Sequence, residues 1–135
     1  MNKSSVLLER VLPYLRGMGF GAVVPEQSFG VGSRRVRADA VAFGDDQKPV
    51  AIVEIKQKLD SPPFDNYHPT VQQAYKIALI AETPYFLVTD GEQFHWFRVD
   101  WENGSAEASD PPIQTPTVQK NLRPFRNEAE AAQVL

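Results

Sequence analysis

The sequence contains two acidic residues and one lysine whose types and spacing could form a catalytic site. Asp39 lies in the segment RRVRADAVAF, and Glu54 and Lys56 lie in the segment VAIVEIK. The first segment alternates as a strand does, and the second is apolar on both faces, as a central strand is. The hairpin-type loop GDDQKP joins them and predicts Asp39 opposite Glu54 or one pair away. Glu54 and Lys56 project from the same face because side chains alternate along a strand.

These charges need compensation, because each one left unpaired on a buried strand costs on the order of several kcal/mol. The carboxylates of Asp39 and Glu54, with the backbone carbonyl of Ile55, form the oxygen-rich partial shell that Mg²⁺ prefers. A metal ion at this position polarises a phosphoryl oxygen and activates a bound water. Lys56 then either orients or helps to deprotonate that water, or stabilises charge developing on phosphorus. The alternative is a structural ion pair between Glu54 and Lys56 at a sheet edge.

The elements that position these residues predict one α/β domain over residues 1–102. Apolar residues at helical spacing predict a first helix over 5–18, capped by Ser4 or Ser5 and kinked at Pro13. A second helix is expected over 70–82. Strands are predicted in FGAVVPEQSF, RRVRADAVAF, VAIVEIK, PYFLVTD and QFHWFRVDW. PYFLVTD follows a helix, which favours a parallel neighbour, and QFHWFRVDW alternates as an edge strand. The predicted order is α-β-β-β-α-β-β, a mixed five-stranded sheet flanked by helices.

Residues 103–135 differ in composition from the rest. They are rich in proline, serine and small polar residues. This pattern predicts a tail that is surface-draped or partly disordered, with a short terminal helix over 127–135 as an option.

The overall composition bounds the class of protein. The chain has 135 residues, no cysteine and a formal net charge of -3. The lack of cysteine excludes disulfides and thiolate metal sites and fits a cytoplasmic protein. No apolar run approaches the length that spans a membrane, so no membrane partner is expected. The net charge argues mildly against a generally basic nucleic-acid binder, so any basic surface must be local.

The two strand segments carry a resemblance to a known family. RADAVAF followed by VAIVEIK resembles the D…ExK motif of the PD-(D/E)xK nucleases, in particular the N-terminal nuclease domain of type I restriction enzyme R subunits. The resemblance runs from Glu9 to about Phe97 and implies a restriction-endonuclease-like fold that cuts DNA with Mg²⁺ or Mn²⁺. It implies that Asp39 and Glu54 bind metal and that both, with Lys56, are catalytic.

The resemblance also assigns roles on the two helices. Glu9 takes the place of an additional metal ligand, or is a solvated helix residue. Gln73, or Gln72, takes a catalytic role and Tyr75 a substrate-binding role, or these residues form an ordinary helix flank. The sequence departs from the usual Gln-x-x-x-Tyr signature, since Gln72 is three positions before Tyr75, and Ala38 stands where proline is usual before the aspartate.

One basic cluster is expected to contact the substrate. Arg34, Arg35, Arg37 and Lys58 form it, and Arg35 and Arg37 share a face with Asp39. Arginine makes bidentate contacts with phosphate, so Arg35, Arg37 and Lys58 are predicted to bind DNA phosphates. The alternative is a solvated rim at the start of a strand.

The predicted function is a Mg²⁺-dependent DNA endonuclease of restriction type that hydrolyses phosphodiesters. The sequence has no Gly-x-x-x-x-Gly-Lys loop, so a free-standing nuclease module without a motor is expected. Its expected partners are DNA and the motor or specificity subunits of a restriction system, with a homodimer as another option. The alternative is a non-catalytic DNA-binding or interaction protein that keeps the nuclease fold.

Overall fold

The helices and strands follow the predicted order, with one strand added at the end. A computed structural model describes residues 2–59 and 68–112 of the chain. The N-terminal helix has three consecutive parts, α1 (Lys3–Val6), a π-helical turn (Leu7–Val11) and α2 (Leu12–Gly17). The other elements are β1 (Ala22–Phe29), a 3₁₀ turn (Gly32–Arg34), β2 (Val36–Phe43), β3 (Pro49–Ile55), α3 (Pro69–Ala81), β4 (Tyr85–Thr89), β5 (Phe94–Asp100) and β6 (Ser105–Ala108).

The strands form a six-stranded mixed sheet in chain order, β1-β2-β3-β4-β5-β6. Only β3 and β4 are parallel among the paired strands of the described residues, and α3 makes the crossover between them. The predictions of a central β3 and of a parallel β4 are therefore confirmed.

The predicted count of five strands was wrong, because β6 adds a sixth at the end of the sheet. β6 pairs antiparallel with β5 from Phe97↔Ala108 to Asp100↔Ser105, so β5 is not the edge strand of the described sheet. The first residues of the predicted tail are thus part of the sheet. The division into a domain over 1–102 and a tail over 103–135 stays a prediction, since residues 113–135, with the terminal helix expected there, lie outside the described residues.

The N-terminal helix differs from the prediction in its capping residue and in the form of its irregularity near Pro13. Its cap is Asn2, whose Oδ1 accepts a 2.9 Å hydrogen bond from Ser5 N–H, rather than Ser4 or Ser5. Pro13 has no N–H to donate to the preceding turn. The irregularity expected at Pro13 takes the form of the π-helical turn that precedes it, in which Leu12 N–H donates to the Leu7 carbonyl.

The two faces of the sheet bury separate apolar cores. α3 covers the face that carries Ile52, Phe86 and Val88. The N-terminal helix covers the opposite face, which carries Val53 and Ile55. Because β3 contributes to both cores, its successive apolar side chains pack alternately against α3 and against the N-terminal helix, and neither face of the strand is left to solvent. In the part of the chain that the structure covers, no helix is long and apolar enough to cross a lipid bilayer.

An extra residue interrupts the β2–β3 hairpin near its loop. Phe43 pairs with Pro49, but Ala42 pairs with Ala51, so Val50 is left over as a bulge. Beyond this bulge the pairing is regular as far as Ala40↔Val53.

Candidate active site

The strands β2 and β3 separate where the two acidic residues lie. Their pairing ends at Ala40↔Val53. Beyond that point β2 stays paired with β1 as far as Val36, while β3 stays paired with β4 as far as Ile55. Asp39 and Glu54 are the next residues on either side of this fork. The hairpin therefore places Asp39 opposite Glu54, the first of the two expected registers.

Asp39 is held on two sides. Its Oδ2 accepts a 2.7 Å hydrogen bond from Ile55 N–H on β3. Lys3 Nζ, on the first turn of α1, lies 3.4 Å from both Oδ1 and Oδ2. The Asp39 side chain remains 24% exposed, so one edge of the carboxylate faces solvent. Sequence analysis did not identify Lys3, because nothing near the start of the chain indicates contact with β2.

Glu54 is the buried member of the pair. Its side chain is only 5% exposed, and Lys56 Nζ lies 3.7 Å from its Oε1. The pKa of Glu54 is raised from an ordinary 4.5 to about 7, mainly by burial and then by the charge of Asp39, while the charges of Lys56 and Lys3 act to lower it. Two carboxylates that resist being ionised together form a site with a need for added positive charge.

The donor set suits a hard cation. Within residues 2–59 and 68–112, no three histidine, cysteine, aspartate or glutamate side chains come together as a metal cluster. Zinc sites need three or four protein ligands, commonly nitrogen or sulfur. Mg²⁺ keeps several waters and needs only one or two carboxylates. Asp39 and Glu54, with the carbonyl oxygen of Ile55 as the predicted third donor, fit Mg²⁺ on these grounds.

A cleft of about 300 Å³ opens beside Asp39. Residues from the N-terminal helix and from three strands line it: Lys3, Ser4, Leu7, Leu8, Pro25, Glu26, Asp39 and Ile55. Since a water molecule occupies about 30 Å³ in the liquid, this volume has room for a phosphate group with its surrounding waters.

Glu26 is a second residue that sequence analysis missed. Its neighbours pair as Pro25↔Ala40 and Gln27↔Ala38, which puts Glu26 across from Asp39. Its φ of 53° lies in the left-handed region, which is uncommon for a residue other than glycine. The Glu26 carboxylate binds Arg37 Nη2 at 2.9 Å in an exposed ion pair. Arg37, which is predicted to bind a DNA phosphate, therefore already has an anionic partner.

Three further predicted residues, Glu9, Arg35 and Lys58, are exposed and do not line the cleft beside Asp39. Glu9 is exposed on the π-helical turn and does not line the cleft beside Asp39. Arg35 is exposed at the start of β2. Lys58 is exposed and lines a different cleft of about 290 Å³, together with Arg10 and Asp90. The roles of Lys58 and the arginines in binding DNA phosphates stay predictions.

The predicted glutamine and tyrosine lie along α3. Gln72 and Gln73 are exposed and line a groove of about 470 Å³ on this helix. Tyr75 is half-buried and lines the same groove, and its ring lies 6.3 Å from that of Phe86 in a tilted arrangement. The catalytic role of Gln73 and the substrate-binding role of Tyr75 stay predictions.

Asp90 organises the turn that follows β4. Its Oδ2 accepts a 3.1 Å hydrogen bond from Leu59 N–H, and its Oδ1 accepts bonds of 2.9 and 2.8 Å from the N–H groups of Glu92 and Gln93. Burial acts to raise the pKa of Asp90, but these backbone donors outweigh it and lower the pKa. The contact with Leu59 fixes the chain just beyond Lys56.

The same turn positions the helix that carries Lys3. Gly91 has a φ of 91°, and a Cβ atom there would lie 3.0 Å from Val6 Cγ1 and 3.2 Å from Arg10 Cβ. Only a residue without a side chain allows the helix to pack this closely against the turn.

Comparisons with known proteins place the chain in a family. The model of the type I restriction enzyme R protein N terminus matches residues 19–110. The chain belongs to this family. The resemblance predicted from Asp39, Glu54 and Lys56 is therefore confirmed at the level of the family. The matched range begins after the helix that carries Lys3 and Glu9.

One solved structure is also similar. It is the crystal structure of the type IIG restriction endonuclease BpuSI, which has 23% sequence identity to this chain and superposes on it with a TM-score of 0.46. The alignment covers 98% of this chain and 14% of that chain. None of the curated protein sequences matches the chain.

Proposed function

We propose that this chain is a Mg²⁺-dependent deoxyribonuclease module of a restriction system, which hydrolyses phosphodiester bonds in DNA. The observation that carries the proposal is the fork at which Asp39 and Glu54 face each other with Lys56 beside them. Membership in the R protein N-terminal family supports it. A module of this kind would meet its DNA in the cytoplasm and would act with motor or specificity subunits, or as a homodimer.

Each residue of the fork has a distinct role. Asp39 and Glu54 hold the metal, with the Ile55 carbonyl as a third oxygen donor. When bound, the metal supplies Lewis-acid polarisation of the phosphate and a more acidic water. Ile55 N–H keeps the Asp39 carboxylate oriented through its 2.7 Å hydrogen bond. Lys56 orients the attacking water or stabilises charge that develops on phosphorus. These roles are the ones that the resemblance to the PD-(D/E)xK nucleases implies.

The substrate reaches the fork through the cleft beside Asp39. A net charge of -3 gives no general attraction to DNA, so the contacts must be local. Arg35 is exposed just before the strand that carries Asp39 and is available to bind a phosphate. Arg37 contributes in the same way once its ion pair with Glu26 opens.

Cleavage of supercoiled plasmid in the presence of Mg²⁺ tests the proposal. Wild type is expected to cut, whereas Lys56→Ala and Glu54→Gln are expected to lose about 100-fold or more in rate. Lys48→Ala is the matched control, because Lys48 is exposed in the loop between β2 and β3. A folded wild-type protein that binds Mg²⁺ and leaves every DNA form intact, alone or with its partner subunits, would contradict the catalytic role.

A second candidate is a non-catalytic DNA-binding or interaction protein with the same fold. Two observations favour it: the described residues bring only two carboxylates to the fork, and an ammonium already lies against each of them. Calorimetric titration with Mg²⁺ and Mn²⁺ separates the candidates. Binding that is lost in Asp39→Asn supports the nuclease, and no binding of either ion supports the second candidate.

A further inference from the structure

The ammonium of Lys3 lies where a cation bound by Asp39 would lie. Its Nζ is 3.4 Å from Oδ1 and 3.4 Å from Oδ2 of Asp39, which is the position of a cation that both oxygens contact. The backbone of Lys3 is fixed by the fold, although its side chain is 47% exposed. Lys3 belongs to the first turn of α1, which Asn2 caps, and Val6 of the same helix is buried against the turn at Gly91.

We propose that Lys3 is the internal counter-ion of the acidic pair, and that a divalent cation must displace it from Asp39 in order to bind. This inference deepens the proposed function, since it rests on the fork being a metal site. It makes Lys3 a residue that sets the metal affinity, although Lys3 lies outside the residues matched by the family model.

Charge balance at the fork supports the exchange. Without metal, Asp39 has its ammonium in Lys3 and Glu54 has its ammonium in Lys56. A divalent cation between the two carboxylates neutralises both, so the ammonium groups are no longer needed there. An ammonium and a metal ion against the same carboxylate also repel each other, because like charges a few ångströms apart are unfavourable.

Lys3 is the lysine that can leave. Its side chain is 47% exposed, against 31% for Lys56. The backbone of Lys56 is fixed by a 3.0 Å hydrogen bond from its N–H to the Thr89 carbonyl. Lys3 lines the open cleft together with Glu26, so the released side chain has room and an acidic neighbour.

Titration calorimetry with Mn²⁺ in the absence of DNA, at low ionic strength and pH 8, tests the inference. Lys3→Met keeps the length of the side chain and removes its charge, and Lys48→Met is the matched control on the exposed β2–β3 loop. Lys3→Met is expected to bind Mn²⁺ about two- to fivefold more tightly than wild type, the range given by the strength of a partly exposed ion pair. Lys48→Met should bind as wild type does.

The outcomes separate this inference from the proposed function. Equal or weaker binding by Lys3→Met, with clear binding by wild type, would overturn the inference and leave the metal-dependent nuclease intact. No binding by any of the three proteins would overturn both.

A measurement on the unmodified chain gives a second readout. Brief acetylation followed by mass spectrometry reports how free each lysine amine is. Mn²⁺ is expected to increase acetylation of Lys3 relative to Lys48 in wild type and to have no such effect in Asp39→Asn. Unchanged acetylation of Lys3 on metal binding would contradict displacement.

Discussion

The carboxylate of Asp39 accepts a 2.7 Å hydrogen bond from the backbone N–H of Ile55, at the point where β2 and β3 stop pairing. A side chain thus replaces the carbonyl acceptor that a continuing ladder would supply. The neighbouring strand itself therefore orients the Asp39 carboxylate, which is the proposed metal ligand.

This hydrogen bond predicts different stabilities for two substitutions of Asp39. Asp39→Asn keeps an oxygen acceptor for Ile55 N–H, whereas Asp39→Ala removes it. Both lose the ion pair with Lys3. Asp39→Ala should therefore have a free energy of unfolding lower than that of Asp39→Asn by about 1–2 kcal/mol. Urea denaturation in EDTA measures the difference, and equal stabilities would show that Ile55 N–H needs no acceptor here.

The raised pKa of Glu54 predicts that metal-free stability falls as pH rises. Between pH 4.5 and about 7 the folded protein keeps a proton on Glu54 that the unfolded chain has lost. The stabilisation of the folded state by protonated Glu54 is complete below 4.5, the pKa of this group in the unfolded chain. It is lost as pH rises through about 7, its pKa in the folded protein. The loss amounts to on the order of 3 kcal/mol, at about 1.4 kcal/mol per pKa unit.

Urea denaturation of wild type and Glu54→Gln across this pH range isolates the effect. Glutamine cannot ionise, so the other titrating groups cancel in the difference between the two proteins. The free energy of unfolding of wild type minus that of Glu54→Gln should fall between pH 4.5 and about 7 and stay constant above pH 7. A constant difference would mean that Glu54 titrates as an ordinary carboxyl does.

Stabilisation by Mg²⁺ should depend on pH through the same residue. The metal binds ionised carboxylates, and Glu54 is largely protonated below its pKa of about 7. Added Mg²⁺ should therefore raise Tm more at pH 8 than at pH 5.5, in proportion to RT ln(1 + [Mg²⁺]/Kd). Differential scanning fluorimetry measures both shifts. Asp39→Asn should show neither, and equal shifts in it and in wild type would place the metal elsewhere.

The anchoring of the N-terminal helix predicts the effect of Tyr14→Phe. The indole N–H of Trp96 donates a 2.7 Å hydrogen bond to the Tyr14 hydroxyl, and Trp96 is only 4% exposed. Phenylalanine keeps the stacking of ring 14 on Phe94 but leaves the indole N–H without this acceptor. The free energy of unfolding should fall by about 1–3 kcal/mol in urea denaturation. Since the Tyr14 hydroxyl bonds to Trp96 and not to a residue of the fork, Mn²⁺ affinity measured on the folded protein should not change.

The acidic pair could be predicted because the information for it is local. The loop length and the alternation of side chains on β2 and β3 suffice to bring Asp39 and Glu54 together. β6 could not be predicted in the same way. Its residues Ser105–Ala108 are small or polar, and their strand conformation depends on pairing with β5, which has high strand propensity.

The helix residues show a different limit. A regular 3.6-residue period places Glu9 beside the apolar stripe, but the π-helical turn over Leu7–Val11 changes that period where Glu9 lies. The side chain that reaches Asp39 is instead Lys3, one element earlier. This contact depends on how the helix packs against the sheet and on the glycine at position 91, and neither is encoded near Lys3 in the chain.

The bulge at Val50 lies on the loop side of the fork, and this position protects the alignment of the acids from changes in the loop. Deletion of Val50 would give an uninterrupted hairpin in which Ala42 still meets Ala51, so Asp39 would still meet Glu54. Deletion of Ile52, only two positions further along, would turn Glu54 to the opposite side of the sheet. Insertions and deletions among relatives should therefore be tolerated in the loop up to Val50 and excluded between Val50 and Glu54.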